Sequence, residues 1–117
     1  MKFTLLLFIF TGVVLANDAS YNRGETLFFS RACSSCHGAS AEGSSSYPKL
    51  ANVKKAYLLK KLHYFKAGKT DSVSRQMMAQ FALKLSEENI EDLAYYLSKY
   101  KKVEVDDVAN ELLGVDY

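Results

Sequence analysis

The chain has 117 residues, 49% of them hydrophobic, with two cysteines, one proline and no tryptophan. That length holds one domain with a small core, and two cysteines exclude a disulfide framework. Fifteen basic and thirteen acidic side chains leave a net charge of +2, and no arginine-rich or aromatic-interleaved tract marks a nucleic-acid binder.

Lys2 is followed by an apolar run from Phe3 to Leu15, broken by Thr4, Thr11 and Gly12. At about 13 residues it falls short of the ~20 that a membrane-spanning helix needs. Val14-Leu15-Ala16 offers compact residues where a signal peptidase reads, and polar sequence begins at Asn17-Asp18. Residues 1–16 therefore read as a cleaved secretory signal rather than an uncleaved anchor, and no stable membrane insertion is expected. The domain follows over 17–103, and 104–117 form an acidic C-terminal extension.

Four helices are expected in the mature part. The first runs from about Tyr21 to Cys33, with Leu27, Phe28 and Ala32 on one apolar face. A loop rich in Gly and Ser, Gly38 to Ser46, leads to Pro48. The second helix spans roughly Lys54 to Ala67, where Tyr57, Leu58, Leu62 and Phe65 recur at helical spacing and Gly68 suits the end. A third segment, Ser74 to Leu83, is expected to be only partly helical. The fourth opens on Ser86 as N-cap. Glu87, Glu88, Glu91 and Asp92 load its positive dipole end, and Ile90, Leu93, Ala94 and Leu97 make its stripe. Lys99, Lys101 and Lys102 fall at its other end. Strand signals are almost absent, so the fold class is all-α. The tail from Val103 places Val105, Val108, Leu112 and Val115 at near-helical spacing, which suits a short helix or an acidic extension equally.

Charge is segregated along the chain. Seven lysines and no acid lie between Lys49 and Lys69, and five acids and no base lie from Glu104 to the end. Such a dipolar surface steers encounters with charged partners; an ordinary solvated face is the plainer reading.

The one segment with specific chemistry is Cys33-Ser34-Ser35-Cys36-His37. Two cysteines three apart can both reach the vinyl groups on one edge of a haem, and the following His can ligate its iron. A thioredoxin-like redox pair has the same cysteine spacing but needs a βαβ setting, which is missing. A zinc site needs two further ligands, and His63 is the only other histidine. A disulfide across three residues closes a very small, strained loop. Covalent attachment of one haem c is the reading that uses all three side chains.

Around this motif the chain resembles the small soluble class I cytochromes c of bacteria. Gly24, Leu27 and Phe28 stand before Cys33 as in their first helix. Pro48-Lys49-Leu50-Ala51 looks like their proximal loop, and Tyr57 to Leu62 with Phe65 and Gly68 like their middle helix. Met78, Leu85-Ser86-Glu87-Glu88 and Leu93-Ala94-Tyr95-Tyr96-Leu97 resemble the distal methionine and last helix. The likeness covers residues 20 to 100.

The resemblance implies that the N- and C-terminal helices cross beside one haem, with Gly24, Phe28 and Tyr96 at the crossing. It implies His37 and Met78 as the axial metal ligands, Met77 being the alternative, and a Pro48 carbonyl that steadies His37. His63 is expected to be a partly exposed helix residue. By the same resemblance the protein is a periplasmic one-electron carrier, not an enzyme. Its partners would be a dehydrogenase or quinol-oxidising complex as donor and a terminal oxidase or peroxidase as acceptor. A dedicated subunit of a periplasmic oxidoreductase, such as a sulfur-compound oxidising one, is the nearest alternative; a haem peroxidase or gas sensor is the remoter one.

Overall fold

The computed structural model describes residues 4–102 together with Leu112 and Gly114, and for residues 4–16 the course of the backbone alone. Among the described residues there are helices and no strand: α1 (Thr4–Ser30), α2 (Cys33–His37), α3 (Lys55–Lys66), α4 (Val73–Leu83) and α5 (Glu87–Ser98). No helix among them is long and apolar enough to cross a membrane. The periodicity of the tail lies outside the described residues except at Leu112, which is exposed.

The core forms where α1 crosses α5. Gly24 permits the close approach: a Cβ there would stand 2.2 Å from the Asp92 carbonyl oxygen and 2.5 Å from Tyr96 Cβ. Tyr96, Phe28 and Ile90 are the largest side chains sealed from water. The Tyr96 ring meets Tyr21 edge-on at 5.0 Å and Phe28 at 5.8 Å, geometries favoured by aromatic quadrupoles. Burial pushes the Tyr96 phenol far above its ordinary pKa.

Helix α5 forms as its sequence dictates. Ser86 Oγ accepts from the Asn89 N–H and Asn89 Oδ1 accepts from the Ser86 N–H, each at 3.0 Å, a capping box with Asn in the usual Glu place. Helix α3 lies against both α4 and α5, its Leu58 buried and Leu59 and Leu62 packed on the core.

Three boundaries differ from the sequence reading. Helix α1 begins at Thr4 rather than near Tyr21, because its leucine-rich start favours helix and only Gly12 interrupts it. The junction expected after Ala16 falls inside this helix. At its other end α1 stops at Ser30, since Ala32 adopts the left-handed conformation (φ 60°); Ala32 is exposed instead of facing the core. The segment expected to be partly helical is an unbroken helix, α4. Ser72 Oγ caps it by accepting from the Arg75 N–H, and Arg75 pairs with Asp71 at 2.6 Å. Helix α5 ends at Ser98, leaving Lys101 and Lys102 beyond it.

After α2 the chain makes a tight proximal loop. Ala41 is fully buried at φ 52°, and its carbonyl accepts from both Leu50 and Ala51 at 2.9 and 3.1 Å. Gly43 (φ 70°) must be glycine, because a Cβ would come within 2.5 Å of the Lys49 nitrogen. The loop closes at Asn52 (φ 60°), whose N–H donates to the Leu97 carbonyl at 2.8 Å.

Candidate functional site

Helix α2 presents three reactive side chains from a single turn. Ala32 reverses the chain before it and Gly38 (φ 89°) releases the chain after it. The Gly38 N–H closes the turn on the Ser34 carbonyl at 3.0 Å, and Gly43 N–H donates to the His37 carbonyl at 2.8 Å. Cys33 and Cys36 are half-buried and not bonded to one another. Burial pushes the Cys33 thiol pKa up, so the neutral thiol is its form at physiological pH.

The His37 ring is buried, and its Nδ1 lies 2.9 Å from the Pro48 carbonyl oxygen. A carbonyl can only accept, so Nδ1 carries the proton and donates, and Nε2 is left with its lone pair. Tyr47 stands edge-on to the imidazole at 6.2 Å. The proximal loop thus fixes both the tautomer and the direction of the ring.

These residues line a cavity of about 460 Å³, within the range that holds a bound organic ligand. Leu58, Leu62 and Phe65 of α3, Met77, Met78 and Phe81 of α4, and Leu93 and Leu97 of α5 supply apolar walls. Its charged lining is one-signed among the described residues: Arg31, Lys49, Lys61 and Arg75 contribute positive charge and no carboxylate joins them. Two thiols, one imidazole with a free Nε2, apolar walls and a cationic rim fit a flat apolar metallocycle bearing acidic substituents. Among the described residues no group of three or more His, Cys, Asp and Glu could hold a bare metal ion.

The family model for cytochrome c matches residues 21–101. The chain belongs to the cytochrome c family. It is 33% identical over 94 residues to cytochrome c-554(547) of Halothiobacillus neapolitanus, a match covering 74% of this chain and 100% of that one. It is 33% identical over 93 residues to cytochrome c4 of Stutzerimonas stutzeri, covering 74% of this chain and 42% of the relative. Cytochrome c-552 of Acidithiobacillus ferridurans is 32% identical over 80 residues, 68% of this chain and 34% of its own. The chain therefore spans all of the first relative and less than half of the other two. As a cytochrome c it binds covalent c-type haem and serves haem-based electron transfer.

The structure brings Cys33, Cys36, His37, Pro48, Met77 and Met78 to one cavity. Met77 is 59% exposed, whereas Met78 is half-buried. His63 is absent from the lining; it is exposed, its Nε2 2.6 Å from Glu87 Oε2.

Sequence reasoning missed two features. Asp92, read as a first-turn acid, is buried under the crossing, where Ser20 Oγ donates to it at 2.7 Å and Arg23 Nε at 2.8 Å. Its position four before Tyr96, on the buried stripe, was the available signal. The cationic rim was missed because Arg31, Lys49, Lys61 and Arg75 come from four separate segments.

Proposed function

We propose that the protein is a periplasmic one-electron carrier in which Cys33 and Cys36 hold the haem by thioethers and His37 and Met78 ligate its iron. Bound there, the haem iron supplies reversible one-electron chemistry. The observation that carries this reading is the His37–Pro48 hydrogen bond, which leaves Nε2 as the metal-binding nitrogen in a cavity that two methionines also line.

Met78 is favoured over Met77 because a ligand must turn inward, and Met78 is the less exposed of the two. Held by His37 and Met78, the haem would have a higher reduction potential than with two imidazoles, which suits a carrier better than a peroxidase or gas sensor. Residues 1–16 direct the chain to the periplasm. Its electrons come from a dehydrogenase or quinol-oxidising complex and pass to a terminal oxidase or peroxidase. The cavity rim, where Tyr57, Met77 and Phe81 are exposed, is the surface those partners meet.

The test is Met78→Ala in the haem-loaded protein. The weak near-infrared band of the oxidised form should vanish and the potential should fall. An unchanged band in that variant, with loss in Met77→Ala, would move the ligand to Met77.

A further inference from the structure

The seven lysines between Lys49 and Lys69 do not form one face. On the flank of α3 turned to α5, Lys55 pairs with Glu91 at 2.5 Å, His63 with Glu87, and Lys66 with Glu87 at 3.8 Å. On the other flank no lysine pairs with an acid among the described residues. There Lys54, Tyr57, Lys60, Lys61 and Tyr64 recur at three- and four-residue spacing, the period of one helix face. Lys54 and Lys60 are exposed and have no ion pair among the described residues. Lys61 lies over the Tyr57 and Tyr64 rings, 5.7 Å from each centroid. At its end this stripe runs into the cavity rim, to which Tyr57, Lys61 and Lys49 contribute.

We propose that the acidic C-terminal extension, residues 104–117, docks in cis on this stripe and shields its lysines from other anions. Charge complementarity is the first argument: Glu104, Asp106, Asp107, Glu111 and Asp116 are unaccompanied by any base. Glu104, Asp107 and Glu111 repeat at the three- and four-residue steps that also separate Lys54, Lys60 and Lys61 from the tyrosines between them. The second is where the extension departs. The Asn52 N–H is bonded to the Leu97 carbonyl, and Lys54 follows two residues later as the N-cap of α3. Lys101 N–H donates to Tyr21 Oη at 3.2 Å, holding the chain on the domain to that point. Leu97, at the end of α5, therefore lies against the loop that leads into Lys54 and the stripe. The fourteen residues of the extension reach about 50 Å when extended, more than α3 requires. A tether this short gives an effective concentration in the millimolar range, so weak contacts suffice. Leu112 is 81% exposed, so the contact is made by the acids and not by this leucine.

The experiment is zero-length carbodiimide cross-linking of the full-length haem protein, read by peptide mass spectrometry, with amide NMR of the same protein. At low ionic strength, links should join Lys54, Lys60 or Lys61 to Glu104, Asp107 or Glu111 within one chain. Their yield should be independent of protein concentration and be lost near 1 M salt, where the Debye length is about 3 Å. Replacing the five acids by their amides (E104Q, D106N, D107N, E111Q and D116N) should shift the amides of Lys54, Tyr57, Lys60 and Lys61. Those of Lys55, His63 and Lys66 should stay in place. Links between chains that increase with concentration would make a second copy the occupant and overturn the proposal. So would links confined to Lys99, Lys101 and Lys102, which sequence proximity alone would give, or NMR shifts equal on both flanks. Neither readout depends on the axial ligand or the electron partner, so this proposal and the carrier reading fail separately.

Discussion

At the crossing of α1 and α5, Phe28, Ile90 and Tyr96 are each 2% exposed or less, and the one buried carboxylate, Asp92, has two donors. Along α4, Met77, Phe81 and Leu83 are 59%, 44% and 60% exposed, and the first two face the rim of a cavity. The first region is completed by protein atoms alone. The second is an open apolar wall, which on the proposed reading the haem covers. On that reading the two regions depend on different things: the crossing on the shape of a few side chains, the α3–α4 wall on the cofactor.

The widest gap between them should open when attachment is prevented. In Cys33→Ser/Cys36→Ser, amide hydrogen exchange in α3 and α4 should accelerate on the order of 100-fold relative to the haem protein, equivalent to about 3 kcal/mol. Amides at the α1–α5 crossing should change far less. Equal loss in both regions would show that the crossing also depends on haem.

Shape should dominate in the reverse case. Gly24→Val thrusts carbon into the Asp92 carbonyl and Tyr96, and should cost about 3 kcal/mol in denaturant unfolding. Phe81→Ala, at a site already 44% exposed, should stay within about 1 kcal/mol. A neutral Gly24→Val would mean that the helices can separate without penalty.

The smallest effects are titrations. Burial works to raise the Asp92 pKa, but hydrogen bonds from Arg23 and Ser20 outweigh it and hold the carboxyl below its ordinary value. Its contribution is present above the unfolded pKa near ~3.9 and is lost as pH falls through the lower folded value. His63 behaves oppositely. Its hydrogen bond with Glu87 raises the imidazole pKa and lowers that of the carboxyl. That contribution is whole below about pH 6.5 and is lost as pH rises through the folded value. Thermal unfolding should show a slight decline in Tm across this upper window, absent in Glu87→Gln and smaller than the acid-limb loss of the unsubstituted protein, which Asp92→Asn should abolish.

The attachment motif, the all-α class and the crossing residues were legible because each is written in local spacing or in a distinctive residue set. The proposal of Met78 as ligand rests on family resemblance, since spacing alone treats Met77 and Met78 alike. The end of α1 was hidden because the left-handed turn falls on Ala32, a residue that favours helix. Helix α4 was underrated because its first turn is held by Asp71, Ser72 and Arg75 rather than by an apolar stripe. The division of the lysines into a flank paired with α5 and a flank with no acid among the described residues depends on the register of α3 against α5, a tertiary fact that no window of sequence contains.

The bond from Asn52 to the Leu97 carbonyl ties a loop of the first half of the chain to the end of the last described helix. Contacts between positions so far apart form late, because the entropy of closing the intervening chain is lost before the contact rewards it. The loop that orients His37 consequently cannot reach its final form until α5 has docked. Synthesis supplies the imidazole early and the residue that locks its loop near the end, so the proximal side of the site matures only when almost the whole domain has been made.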